Sequence, residues 1–438
     1  MIKKDTHEKA YYITAKDLSA RGKDRIPEEL IPSKHLIYSS PATLAYNSPG
    51  AQGFGVKRAG LAIPGSVMLL LAPGCCGRNT TILSELGGYS DRFFYLMMDE
   101  TDIVTGRHLK KVPQAVEEIY NCLEKKPTVV MICLTCVDAL LGTDMERICK
   151  KAREKIGIPV LPCYMYALTR EGRKPPMVHV RQSIYSLLAP RKKKSTSVNI
   201  LGNFAPLEDS CELYDLLKQL GIETIREISR CETYEEYLRM AEANFNLVLD
   251  PEAAYAADDL QKRLNIPYIE LYRLYQMDKI KNQYALFASI FGKELRDEVY
   301  YEEAFSAIDN FKKQYPDTVF CVGEGCNANP YELSLALLRY GFSVSEIFGN
   351  LSGEDFVYVD KIACLSPETK IYSNLEPTMI FYAPEENPVD LAIGKDAAYY
   401  HPEAVCLAWS DDVKPFGYRG VEHFFESCRI ALEERKNR

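Results

Sequence analysis

The chain has 438 residues, 47% hydrophobic and 26% charged, a profile that fits a soluble globular protein of two to four domains. A formal net charge of −8 argues against nucleic acid as the main partner. No apolar run reaches bilayer length, and the polar start MIKKDTHEKAYYITAKDLS lacks a signal-peptide pattern, so a cytoplasmic protein without a membrane partner is expected.

Residues 1–60 are irregular and rich in Pro, Ser and Gly, and the stretch YNSPGAQGFG (46–55) reads as a loop. From Val67 the chain alternates strand and helix. Strands are expected at 67–72, 93–98, 128–133 and 160–164, with helices at 79–86, 112–123 and 139–155. Short apolar strands separated by amphipathic helices mean βαβ units and a buried parallel sheet. A second unit has expected strands from Ser197, at 223–228 and at 246–249, with helices at 211–220, 234–243 and 253–264. A long helical region, 277–314, leads into a third unit. That unit has a strand at 319–322, the turn GEGCN and a helix at 330–339. Strands at 361–365 and 378–382 follow, and a last helix opens at Gly417-Tyr418-x-Gly420. The expected domains are 1–194, 195–316 and 317–438.

Fourteen cysteines in a cytosolic chain read as thiols and metal ligands rather than disulfides. Cys75 and Cys76 follow the first strand of the first unit, and Cys133 and Cys136 lie at the end of its third. On neighbouring strands of one parallel sheet, these turns meet at the carboxyl edge, where open α/β sheets bind ligands. Both turns lie at or near a helix N-terminus, whose free N–H groups and dipole favour thiolates. The pair is read as the seat of an iron–sulfur cluster. Cys133-x-x-Cys136 alone also fits half a zinc site or a redox dithiol. A second zinc-type pair is absent, because Cys75 and Cys76 are adjacent, and Cys133 belongs to a strand rather than a helix start. For Cys76 and Cys133, buried thiols are the alternative reading. The turn Gly323-Glu324-Gly325-Cys326 resembles a phosphate-binding loop but lacks the third glycine of a dinucleotide fingerprint, and a packing turn is the alternative. The chain contains no Gly-x-x-x-x-Gly-Lys-Ser/Thr sequence.

The segments ETDIVTGRHLKKVPQAVEEIY, KKPTVVMICLTCVDALLGTD, GEGCNANPYELSLALLRYGFSV and PFGYRGVEHFF carry a family resemblance. With three such units in this order, the chain resembles the nitrogenase component 1 superfamily. That superfamily takes in the nitrogenase α and β subunits, the cofactor-scaffold pair and dark-operative protochlorophyllide reductase. The resemblance runs over nearly the whole chain from Tyr46 and implies an α/β fold of three sequential Rossmann-like domains with parallel sheets. It also implies an interfacial cluster that takes three cysteines from a subunit. Cys75 and Cys136 match the second and third; Asn47, before Ser48 and Pro49, stands where the first would be. Two ligands per copy across a two-fold axis make the four that a [4Fe–4S] cluster needs, so a homodimer sharing that cluster is expected. Cys76 and Cys133 offer further ligation toward a larger P-cluster-like group.

Where nitrogenase's catalytic subunit anchors its metal cofactor with a cysteine and a histidine, this chain has Asp250 and Phe416. The resemblance therefore does not imply dinitrogen reduction with that cofactor. Asp250 is a candidate proton donor or cation partner at the wall of the inter-domain cavity, or simply a helix cap. Arg181, followed by Gln182, is a candidate substrate contact. The family pattern implies a separate homodimeric iron protein that hydrolyses MgATP and delivers electrons. The leading reading is a reductase component that relays electrons through the interfacial cluster to a small-molecule or cofactor substrate. The alternatives are a cluster or cofactor scaffold in maturation, and a non-redox binding protein on the same fold.

Overall fold

The computed structural model describes residues 9–31, 42, 59–86, 88–165, 174–384 and 389–436. The short strand β1 (Ile13–Thr14) is followed by a helix, Ala15–Arg21, which Thr14 caps by accepting from the Asp17 N–H at 3.1 Å.

The first sheet contains β2 (Ser66–Ala72), β3 (Phe93–Met97), β4 (Val129–Leu134) and β5 (Val160–Tyr164), in the order β3-β2-β4-β5 and all parallel. Every residue of β2 and β4 is buried. Their unbroken apolar runs, SVMLLLA and VVMICL, suit central strands covered on both faces. The second sheet contains β6 (Lys194–Leu201), β7 (Thr224–Glu227), β8 (Ala243–Val248) and β9 (Tyr268–Glu270), in the order β7-β6-β8-β9. The third contains β10 (Val319–Gly323), β11 (Ser343–Phe348), β12 (Lys370–Tyr372), β13 (Leu391–Ile393) and β14 (Val405–Leu407). Its order is β1-β12-β11-β10-β13-β14, with β1 antiparallel to β12 and every other pairing parallel.

In each sheet the chain fills one side first and then crosses to the other. The order reverses between β2 and β4, between β6 and β8, and between β10 and β13. Helices on opposite faces diverge at such a point and leave a crevice beyond the strand ends.

The described residues of 49–206 and 221–272 form one compact unit; those of 1–48, 207–220 and 273–438 form another. In the former, one core joins the first two sheets: Met68, Leu70, Met131 and Cys133 belong with Ile184, Leu201, Val248 and Leu260. In the latter, Phe311, Phe320, Phe342 and Phe425 pack with ring centroids 5.5–6.2 Å apart. The last helix, Gly417–Lys436, starts on the carboxylate of Glu212, which accepts from the N–H groups of Tyr418 (2.5 Å) and Arg419 (3.2 Å). Gly417 has φ +64°, and a Cβ there would collide with that carboxylate.

Several local expectations are corrected. The helix after Cys76 begins at Gly74, not at residue 79. The helix expected over 139–155 is two, Cys136–Leu140 and Met145–Ile156. Between them Gly142 takes φ +63° and Asp144 caps the second helix, accepting from the Arg147 N–H at 3.0 Å. The 277–314 region is likewise two helices, Met277–Ser289 and Glu298–Gln314. Residues 361–365 end a helix, Phe356–Leu365, that buries Phe356, Val359 and Ile362 at three-residue spacing. Residues 378–382 are not a strand: Pro377–Phe381 is a 3-10 turn capped by the Glu376 carboxylate.

Candidate functional site

β2 and β4 pair in register from Ser66↔Val129 to Leu71↔Leu134, so the turns after them lie side by side. Gly74–Leu86 starts at once after β2 and carries Cys75 and Cys76 in its first turn; Cys136 opens Cys136–Leu140 after β4. The Cys75 and Cys76 sulfurs are 3.9 Å apart and both residues are exposed. Cys136 is partly buried, its Sγ 4.0 Å from the Met165 carbonyl oxygen. Tyr95 packs beneath the first turn and donates to the Ala72 carbonyl at 3.2 Å. A Cβ on Gly77 would lie 1.9 Å from the Tyr95 ring, so only glycine lets the turn sit down on that ring.

Cys76 is pushed up to about 11 by partial burial, by Cys75 and by Cys136. Burial, and then Cys75 and Cys76, push the Tyr95 phenol up as well. Adjacent thiolates here repel unless a positive centre lies between them, and that is the chemistry a cationic iron–sulfur core supplies to its ligands. The donor set therefore fits such a group.

Cys133 is placed differently. It is fully buried, pairs in register with Leu70 and Cys163, and belongs to the core. Asn47 and the 46–55 loop lie outside the described residues.

Behind Cys136 lies a polar group that the sequence reading missed. His108 Nδ1 donates to the Asp102 carbonyl at 2.9 Å, and its Nε2 faces Asp138 Oδ1 at 3.4 Å. Burial pushes Asp138 up to about 6, against the opposing pull of His108. Three buried atoms here have no hydrogen-bond partner among the described residues: His108 Nε2, Thr135 Oγ1 and Asp138 Oδ2. The only sequence signals were a histidine and an aspartate 30 residues apart, each on an otherwise ordinary helix.

The second sheet brings Asp250 and Arg181 together at its own reversal point. Gly202 follows β6 with φ +128°, and a Cβ there would lie 2.7 Å from that of Asp250, which follows β8. Arg181, on Pro176–Tyr185, is 4% exposed. Its Nε and Nη2 donate to the Gly202 carbonyl at 3.1 and 2.8 Å. Nη2 also reaches Asp250 at 3.3 Å, and Nη1 reaches Glu252 at 2.6 Å and the Met177 carbonyl at 3.1 Å. Asp250 Oδ1 accepts from the Glu252 N–H at 2.9 Å, so it does cap the turn Pro251–Ala253. Phe416 is buried at the foot of the last helix.

A family model for nitrogenase component 1 type oxidoreductases matches residues 51–431. The chain belongs to that family. Curated relatives include nitrogenase iron-molybdenum cofactor biosynthesis proteins NifE. That of Clostridium pasteurianum is 27% identical over 228 residues, covering 50% of this chain and 49% of the relative. That of Methanosarcina barkeri is 29% identical over 190 residues, covering 39% of each. The chain thus spans about half the length of the first and less of the second. A solved structure, nitrogenase Cp1 at pH 6.5, superposes with TM-score 0.67 at 17% identity, over 87% of this chain and 92% of that one. This likeness bears out the expected α/β fold of component 1 type. Among the described residues no helix is long and apolar enough to cross a membrane.

Proposed function

We propose that this family member holds an iron–sulfur cluster at the two thiol turns and passes electrons through it to a small-molecule or cofactor substrate. The observation that carries this is the reversal between β2 and β4, with Cys75, Cys76 and Cys136 at an accessible edge. Cys75 and Cys136 serve as ligands, Cys76 is a reserve thiol and Cys133 packs in the core. Two copies of the chain supply four thiolates, which suits a [4Fe–4S] cluster and not the larger P-cluster-like group. Met97, Val104, Leu140 and Leu141 are exposed apolar side chains on elements that end or begin at this edge, and they support a second copy as the covering surface. When bound, the cluster supplies one-electron transfer. The chain's own contribution is to fix the thiols over the Tyr95 ring and to bury Asp138 and His108 behind Cys136.

Electrons come in this reading from a separate MgATP-dependent iron protein, since the chain carries no nucleotide-binding motif of that type. Asp250 and Phe416 leave the nitrogenase cofactor without its usual anchors, so the reaction is not dinitrogen reduction with that cofactor. Asp250 is held by Arg181 and by the Glu252 N–H, so its role is to order the loop. Arg181 orders the loop rather than meeting substrate.

The names of the relatives favour a second reading, a scaffold on which a metal cofactor is built. Anaerobic purification with iron, sulfide and mass analysis tests both: about four irons per dimer are expected, and an iron-free or monomeric protein rejects them. Transfer of a metal cofactor from the loaded protein to an apo-acceptor, without substrate turnover, would select the scaffold.

A further inference from the structure

The third sheet gathers a second donor set away from the thiol turns. Cys321 on β10 and Glu346 on β11 are register partners. His401, just after the helix Lys395–Tyr400, closes against them. One ligand atom from each lies within 4.8 Å of the other two, and among the described residues no other such group closes to that distance. The three residues are 0, 5 and 7% exposed. His401 Nε2 stands 2.6 Å from Glu346 Oε2. The Tyr382 hydroxyl donates to the same oxygen at 2.8 Å and lies 3.0 Å from Nε2.

We propose that Cys321, Glu346 and His401 bind one divalent transition-metal ion of the zinc class, with the Tyr382 hydroxyl or a water at the fourth position. The donor types select the metal. Sulfur, imidazole nitrogen and carboxylate oxygen together suit zinc and its neighbours, whereas magnesium and calcium take oxygen alone. Charge supports the same choice: one thiolate and one carboxylate just neutralise a 2+ ion, so a buried complex carries no net charge. The metal displaces the Cys321 thiol proton to solvent and takes the place of the His401–Glu346 hydrogen bond.

The surround is closely packed. Phe348 stacks between Tyr372 and Tyr400 with centroids 5.1 and 4.8 Å away, and Tyr372 and Tyr382 both reach the Glu346 carboxylate. Supporting contacts of this kind hold ligands in position. Entry is open, because Glu346 and His401 form part of the wall of a cavity of about 320 Å³ that also has Tyr12 and Lys370 on it.

The test uses the full chain, stripped with chelator, with Cys75, Cys76 and Cys136 changed to alanine so that the exposed turns bind nothing. Titration with Co²⁺ is expected to fill one equivalent and give a strong thiolate-to-cobalt charge-transfer band. The zinc form should show one sulfur at about 2.3 Å and nitrogen or oxygen at about 2.0–2.1 Å by X-ray absorption. Cys321→Ser should abolish the band. Tyr382→Phe keeps all three ligands and should weaken binding about tenfold, which keeps the idea testable if Cys321→Ser does not fold. A folded protein that takes up no Co²⁺, or a band untouched by Cys321→Ser, overturns the site and leaves a hydrogen-bonded acid–base pair.

Discussion

Between β2 and β4 the crevice at the sheet edge holds the thiols of Cys75, Cys76 and Cys136; between β10 and β13 the same place holds the carboxylate of Asp396. Asp396 accepts from the N–H groups of Glu324 at 2.9 Å and Gly325 at 3.1 Å, and from the Asn374 amide at 2.8 Å. A Cβ on Gly323 would lie 2.2 Å from it. The phosphate-like turn GEGC is therefore closed by an anion from its own chain, and packing is its role. Arg181 closes the second sheet's crevice in the same manner, from the cationic side. One topology makes three seats, and the chain's own side chains fill two of them, Arg181 at the second sheet and Asp396 at the third. The thiol edge is the one where like groups face each other.

The largest expected effect breaks this contrast or keeps it. Cys75→Ala and Cys136→Ala should each remove essentially all iron from anaerobically purified protein, while Asp396→Ala keeps its iron content. Equal iron loss in the Asp396 variant would mean that the two edges are not independent.

Next in size is the stability of the closed seats. Asp396→Ala leaves the backbone N–H groups of Glu324 and Gly325 without this acceptor and takes one of two carboxylate acceptors from the Asn374 amide. Urea unfolding should show a loss on the order of 3 kcal/mol. Arg181→Met removes both donors from the Gly202 carbonyl and leaves Asp250 and Glu252 without their cation; roughly 2–3 kcal/mol is expected, with iron unchanged.

A smaller effect is read from pH. Burial, and then Asp396, push Glu324 up to about 7. A carboxyl raised on folding stabilises the protein fully below its unfolded value of about 4.3, and that contribution is lost as pH rises through about 7. Glu324→Gln should flatten the fall in stability between about pH 5 and 8 by on the order of 2 kcal/mol. An unchanged slope would show that Glu324 is ionised in the folded state. The smallest effect is Cys133→Ala. It should cost about 1 kcal/mol for a small core cavity and keep the iron, which separates the core thiol from the edge thiols.

Legibility followed the length and apolarity of each element. β2 and β4 are continuous apolar runs that end in Pro-Gly-Cys-Cys and Thr-Cys, so strand, edge and thiol could be read together. β12, β13 and β14 have three residues each, too few for a period to show, and strands were expected instead at 361–365 and 378–382. Asp250 was legible as a cap, because an aspartate before proline acts on its own backbone. Its pairing with Arg181, 69 residues away, was not. Neither the His108–Asp138 contact nor the Cys321–Glu346–His401 group has a local signature, since each joins residues from different strands or helices.

The sequence by itself determined the parallel α/β class, the thiol turns and the family, because all three rest on local order: apolar runs, turn residues and short motifs. Only the tertiary structure decided which crevices the chain fills with its own side chains. That depends on which side chains arrive from distant parts of the chain, Arg181 at the second sheet and Asp396 at the third, and burial sets the cost of leaving such a charge unmatched.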